Sequence, residues 1–312
     1  MKISICIPTY NRLDLLKEAF ESCCRQSLLP YEIIIGDDSN NSETEEWVES
    51  AKNSLVRVRY FHHKPSLRQA KNVNFIFEKA EGELVMLLHD DDTLLPTALE
   101  KLHACFLDHP EIDIAFGKQY LMTHSGEVQI EASKGLNRDY YRDERYAGSV
   151  LSSLEAGLLQ QIPNDGYLIR SAVLKETKYN PGIGDACDFE FGLKLGVQGH
   201  KIFFLNEYTA NYRISDVAVS NSAGNDAALV SYLLAQQTVV SQQSDAYKDS
   251  WLREKVAVAL AQSAMLGHTG LAARLFFSKY HQNKIATPGG IKRLLLVILS
   301  LFKPKKTISV NY

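Results

Sequence analysis

The chain has 312 residues, of which 45% are hydrophobic and 23% charged, with a formal net charge of −3. That length and composition suit a soluble protein of one large domain with appendages, well able to bury a core. The slightly acidic balance excludes an electrostatic case for nucleic acid, so any phosphate recognition has to be local.

The five cysteines, Cys6, Cys23, Cys24, Cys105 and Cys187, lack paired metal-ligand spacing and read as buried thiols of a reducing compartment. The chain opens on a strand rather than a signal peptide, and no apolar run reaches the roughly 18 residues of a membrane span. The expectation is a cytoplasmic protein.

In chain order, Ile3–Ile7 reads as a short buried strand ended by Pro8, and Leu13–Ser27 as a helix capped by Asn11. Glu32–Gly36 is a second buried strand, halted by Asp37 and Asp38. Ser42 with Glu45 has the pattern of a capping box, opening a helix to about Ala51. Val56–Phe61 is a strand, Gln69–Ala80 a helix ended by Gly82, and Leu84–Leu88 a strand running into His89-Asp90-Asp91-Asp92. Thr97–Leu107 is helical and Ile112–Phe116 is again a strand. Short apolar strands alternating with helices of about a dozen residues predict an α/β fold with a mostly parallel, Rossmann-like central sheet covered by helices on both faces.

The pattern weakens from Met122 to Ala156, and short elements at 168–174 and 202–205 frame the segment 182–199. From Asp226 the period is helical, with stripes through Leu229 and Leu233, then Leu252, Val256 and Leu260, then 271–281. This predicts a helical appendage over 226–289. In 290–312, the nearly continuous apolar run Leu294–Phe302 lies between Lys292-Arg293 and Lys303, Lys305 and Lys306. Such a segment is too short to span a bilayer. It fits either a peripheral membrane contact through 290–306 or a helix docked on protein.

The carboxylates are placed where chemistry is expected. Ligands bind at the C-terminal ends of strands in open α/β sheets. Asp90, Asp91 and Asp92 follow one strand, Asp37 and Asp38 another, and Pro8-Thr9-Tyr10-Asn11-Arg12 the first. Adjacent carboxylates repel unless a cation or donors stabilise their charged forms, and hard divalent ions such as Mg²⁺ or Mn²⁺ prefer oxygen ligands. An acidic surface loop is the alternative for the triplet alone. No Gly-x-Gly-x-x-Gly follows the first strand and no phosphate-binding Gly-x-x-x-x-Gly-Lys-Ser/Thr occurs, which argues against dinucleotide and P-loop readings.

Taken together, these stretches resemble the family 2 inverting glycosyltransferases of GT-A fold. The matching stretches are 5–12, 32–39, Asn72-Val73-Asn74 with 80–83, 88–96 and 187–195, in the family's order across roughly residues 3–215. The resemblance implies a catalytic domain over 1–225 that binds a nucleotide diphosphate sugar of UDP, dTDP or GDP type and a glycan acceptor. Pro8, Thr9 and Tyr10 would line the nucleoside pocket, with Asp37 or Asp38 accepting from the base. Asp91, with Asp90, would hold Mn²⁺ or Mg²⁺, and Asp92 would shape the donor-sugar site. Arg12, Arg68, Lys71 and Asn74 would lie along the diphosphate and donor sugar, although Lys71 equally suits a solvated helix face. Arg213 precedes Ser215, which stands where the family has histidine, so Arg213 would serve the diphosphate instead.

Inverting transfer requires a carboxylate to take the proton of the attacking hydroxyl. The resemblance places Asp188 there, Asp185 being the alternative, with Glu190 on the acceptor side. The basic, apolar C-terminus suggests a lipid-linked acceptor, as in O-antigen or capsule biosynthesis. Two other readings are weighed: a sugar-nucleotide pyrophosphorylase, which needs a glycine- and lysine-rich loop that 8–12 does not supply, and a non-catalytic glycan-binding scaffold.

Overall fold

A computed structural model describes residues 1–51, 55–214 and 225–310. The chain divides into two compact units, one of residues 1–180 with 191–216 and the other of 181–190 with 217–312.

The first unit is built on a nine-stranded sheet. Strands β1 (Ile3–Thr9), β2 (Glu32–Asp37), β3 (Arg57–His62) and β4 (Leu84–Leu87) form its parallel half, in the order β3-β2-β1-β4. Beyond β4 the sheet is mixed. The short β8 (Leu168–Arg170) runs antiparallel to β4 and to β6 (Ile114–Met122). Strand β9 (Ile202–Arg213) pairs parallel to β6, with register shifts around Lys118, and β5 (Thr93–Leu94) runs antiparallel to β9. A two-strand turn adds β7 (Val128–Gln129) on β6. The sheet is therefore parallel where βα units build it and mixed where the sequence pattern faded.

Every residue of β2 and β4 is buried, as the apolar runs predict for strands covered on both faces. Helices α1 (Leu13–Cys24), α2 (Glu43–Ala51), α3 (Gln69–Lys79) and α4 (Ala98–Asp108) supply the cover, and Leu16, Phe20, Leu99 and Phe106 join Ile5, Ile33 and Met86 in one core. Helix α3 lies so close to β2 that a Cβ on Gly36 would sit 2.1 Å from Asn72 Oδ1. That approach lets Asn72 Nδ2 donate to Gly36 O at 2.8 Å.

Three expectations change in detail. Arg12, not Asn11, occupies the cap position of α1, and Asn11 Oδ1 accepts from Asn40 N instead. The Ser42 hydroxyl donates to Glu46, while the complete capping box belongs to Ser152 and Glu155 at α6 (Ser153–Leu158), after α5 (Ile130–Asp139). Strands β6 and β9 run further than 112–116 and 202–205, because aromatic pairs such as Tyr120 on Tyr208 extend the ladder.

After α7 (Ser171–Glu176), the segment Cys187–Val197 is helix α8. The second unit is helical: α9 (Ala227–Gln237), α10 (Asp245–Met265), α11 (Thr269–Phe276) and α12 (Pro288–Ser300). Leu229, Leu233, Leu252, Val256 and Leu260 are buried there, and Phe189 stacks on Trp251 at 5.3 Å. No described helix is long and apolar enough to cross a membrane.

Candidate active site

Strand register brings the sequence-predicted residues of the first unit to one edge. Thr9 pairs with Asp37 at the ends of β1 and β2, and Leu88 N continues the ladder from β4 by donating to Cys6 O. The chain then turns through His89-Asp90-Asp91-Asp92, so the triplet sits beside Thr9.

The three carboxylates do different things there. Asp90 turns inward: Oδ2 accepts from Thr9 Oγ1 at 2.7 Å and Oδ1 meets Arg12 Nη2 at 2.6 Å. Burial pushes its carboxyl up to about 6, against the pull of Arg12. Asp91 lies nearer solvent, with Oδ2 2.6 Å from Arg12 Nη1. Asp92 is buried, its Oδ1 accepting from Arg213 N at 2.7 Å. Burial first, then the charges of Asp165 and Asp91, hold the Asp92 carboxyl well above the carboxylate range.

Among the described residues, His89, Asp91 and Asp92 each offer a ligand atom within 4.8 Å of the others. Asp92 Oδ2 is buried without a hydrogen-bond donor, the kind of oxygen that a cation satisfies. Two carboxylates and an imidazole fit Mn²⁺ or Mg²⁺. The expected pair was Asp91 with Asp90; the group found contains Asp91 with Asp92 and His89, and Asp90 is committed to Thr9 and Arg12.

The remaining expected residues divide similarly. Asp37 spends both oxygens inside the protein, on Ser39 N and Tyr60 Oη, each at 2.7 Å. Asp38 Oδ1 accepts from Leu67 N. Tyr10 is half exposed, its hydroxyl accepting from Asn40 Nδ2. Arg68 and Lys71 are exposed, Arg68 with φ 67° at the start of α3. Asn74 clasps the Tyr179 backbone with both amide atoms, at 2.8 and 2.9 Å, which is a structural role.

Arg213 is 3% exposed and does not reach outward. Its guanidinium donates to Asp91 O and His124 O at 2.8 and 2.7 Å and pairs with Glu18. It thus fixes the backbone of the acidic turn. Ser215 lies outside the described residues.

Sequence reasoning missed the support behind the turn. Asp165, 1% exposed, accepts from His89 N at 3.0 Å and from Gln119 Nε2 at 3.2 Å. Gln119 Oε1 in turn accepts from the buried Arg142, which also donates to Gln160 O and Gln161 O. Gly166 N donates to Leu87 O, docking this loop on the end of β4. The only signal was Pro163-Asn164-Asp165-Gly166, which reads as an ordinary turn.

In the second unit, Asp188 and Glu190 lie in the first turn of α8, where the helix dipole favours negative charge. Asp185 precedes them in a 3₁₀ segment, and burial and then Asp226 push its carboxyl up.

Residues 4–154 match glycosyl transferase family 2. An uncharacterized glycosyltransferase of Methanocaldococcus jannaschii is 23% identical over 216 residues, 68% of this chain and 70% of that protein. A GalNAc(5)-diNAcBac-PP-undecaprenol beta-1,3-glucosyltransferase of Campylobacter jejuni is 36% identical over 103 residues, 32% of this chain and 33% of the relative. Among solved structures, Staphylococcus aureus TarS 1-349 in complex with UDP superposes with a TM-score of 0.64 at 18% identity, over 95% of this chain and 90% of that 1-349 chain. The chain thus carries a glycosyl transferase family 2 domain over residues 4–154, in a GT-A fold, and is a glycosyltransferase.

Proposed function

We propose that this chain is a metal-dependent inverting glycosyltransferase that moves a sugar from a nucleotide diphosphate sugar to a hydroxyl of a glycan acceptor. The observation that carries the reading is the gathering of His89, Asp91 and Asp92 at the strand edge that also presents Thr9, Tyr10 and Asp38. Solved neighbours in complex with UDP and with GDP-Man and Mn²⁺ support a nucleotide diphosphate sugar as donor, of UDP, dTDP or GDP type.

His89, Asp91 and Asp92 would hold Mn²⁺ or Mg²⁺. Bound there, the ion supplies charge neutralisation for the departing diphosphate. Thr9 and Tyr10 flank the nucleoside, and Asp38, with one oxygen committed to Leu67, is better suited than Asp37 to accept from the base. Arg68 and Lys71 offer exposed cations to the diphosphate. Arg12, shared between Asp90 and Asp91, would supply a further positive charge beside the diphosphate.

Asp188 is the base in this reading. The acceptor oxygen forms its bond to the anomeric carbon as the bond to the diphosphate oxygen breaks, with inversion, and the hydroxyl proton passes to the Asp188 carboxylate. Glu190 lies on the acceptor side. The undecaprenol-linked substrate in the name of the Campylobacter relative supports a lipid-linked glycan acceptor, which would bring the enzyme to the inner face of the cytoplasmic membrane.

A thermal-shift screen of nucleotide sugars with and without Mn²⁺ tests the donor site, since a ligand that binds the folded state raises the melting temperature by mass action. Asp91→Asn should abolish the Mn²⁺-dependent shift. Asp188→Asn should keep that shift and lose turnover by a factor of about 10³ or more. Near-normal transfer by Asp188→Asn would remove it as the base.

A further inference from the structure

Helix α12 is docked the wrong way round for a helix whose purpose is to complete a core. Its most buried residues are small, Gly290 and Ser300, with Gly289, Arg293, Leu296 and Val297 partly buried. Gly290 lies against Lys284 O and Ile285 O, where a Cβ would come within 2.1 and 2.2 Å, so this close seat needs glycine. Ser300 Oγ donates to Thr269 Oγ1 at 2.9 Å, and Arg293 Nη1 lies 3.4 Å from His281 Nε2. Most of the large apolar side chains point outward. Ile291, Leu294, Leu295, Ile298 and Leu299, then Leu301 and Phe302 just past the helix, are 40–84% exposed. Positions 291, 294, 295 and 298 follow the spacing of a single helix face.

Charge completes the pattern. Residues 281–312 hold six lysines and arginines and no acid, so the rest of a chain of net charge −3 carries −9. The basic end is pinned as well: Lys306 N donates to Leu266 O, and Lys306 O is 2.6 Å from His268 Nε2. Lys303, Lys305 and Lys306 are thereby held, exposed, next to the apolar face.

We infer that this face of α12 is a docking surface for an anionic phospholipid bilayer, with the leucine stripe in the acyl boundary and the lysines on the headgroups. At 13 residues the helix is about 20 Å long, short of the roughly 30 Å hydrocarbon core, so it lies in the plane of the interface. A second copy docking by the same face would bring a like-charged surface against this one, whereas anionic headgroups complement it. The surface stands on the helical unit alone; only its link to catalysis rests on the lipid-linked acceptor reading.

The test is co-sedimentation of the full chain with vesicles of phosphatidylglycerol and phosphatidylcholine against pure phosphatidylcholine. Wild type should bind the anionic vesicles at least tenfold more tightly and release them in high salt. Leu295→Ser with Ile298→Ser, and separately Lys303→Glu with Lys305→Glu, should each lose tenfold or more, with unchanged melting temperature and unchanged donor-induced thermal shift. Equal binding by the serine pair and wild type overturns the inference. So does a concentration-dependent dimer in light scattering that the serine pair abolishes while wild type ignores anionic vesicles. Vesicle binding together with transfer only to soluble glycans would keep the surface and refute the lipid-linked acceptor alone.

Discussion

Replacing Arg213 by alanine isolates the part of the site that is architecture rather than chemistry. The guanidinium is the donor for two carbonyls, Asp91 O and His124 O, and it reaches Glu18 as well. Its own exposure is 3%, so alanine would leave the two carbonyls without their donor in a place water scarcely enters. Each such orphan costs about 1–3 kcal/mol. The Glu18 pair adds little, because the Glu18 side chain is 55% exposed and solvent screens it. The sum is about 2–6 kcal/mol, and at about 2–4 °C per kcal/mol for a domain of this size the melting temperature should fall by about 10 °C. The backbone bond from Arg213 N to Asp92 survives the change, so the fold should form. With the Asp91 backbone released, Mn²⁺ affinity by isothermal titration should drop about 10–100-fold, the usual effect of removing an outer partner of a ligand. Arg213→Lys, able to reach one acceptor, should fall between. A variant that melts within about 2 °C of wild type and binds Mn²⁺ unchanged would refute this account of Arg213.

Three further substitutions probe the surroundings. Asp165→Ala strands His89 N and Gln119 Nε2 and should cost about 2–5 kcal/mol in chemical denaturation while weakening Mn²⁺; unchanged stability would discount the buried network. Arg12→Ala removes a cation that occupies Asp91 Oδ2, so Mn²⁺ should bind more tightly and the nucleotide sugar less so; parallel loss of both would show that Arg12 only holds the loop. Asp185 has a raised carboxyl pKa, so the proton it retains favours the fold below its unfolded value of about 3.9, and that contribution is lost as pH rises through the folded value. Asp185→Asn should therefore melt higher than wild type at pH 7, converge with it near pH 4 and retain transfer activity. Loss of transfer would move the base from Asp188 to Asp185.

Much of the fold was legible because its signals are local. Strands β1, β2 and β4 are short apolar runs that only a doubly covered parallel sheet can bury, and each stops at polar residues that must lie at one edge. The acidic triplet, Thr9 and Asp38 could be placed together from that rule alone. The mixed half of the sheet was not legible, since β8 is only three residues long and β6 and β9 hold their register through cross-strand partners nearly a hundred positions apart.

Which carboxylate of the triplet faces a cation is likewise not a local property. Asp90 turns inward because Thr9 and Arg12 meet it, and Asp92 is held by Arg213 N, from a strand 121 residues further on. Asp165 sits in a tetrapeptide that reads as a turn, and only the burial of that turn against β4 converts it into a support for His89. The amphipathic character of α12 is in the sequence, but which side it shows was decided by Gly290 and Ser300, whose small side chains let the helix settle close on that side. Composition and period determined which elements form; contacts between distant segments decided where each side chain points, because a turn or a helix carries no information about direction until its neighbours are in place.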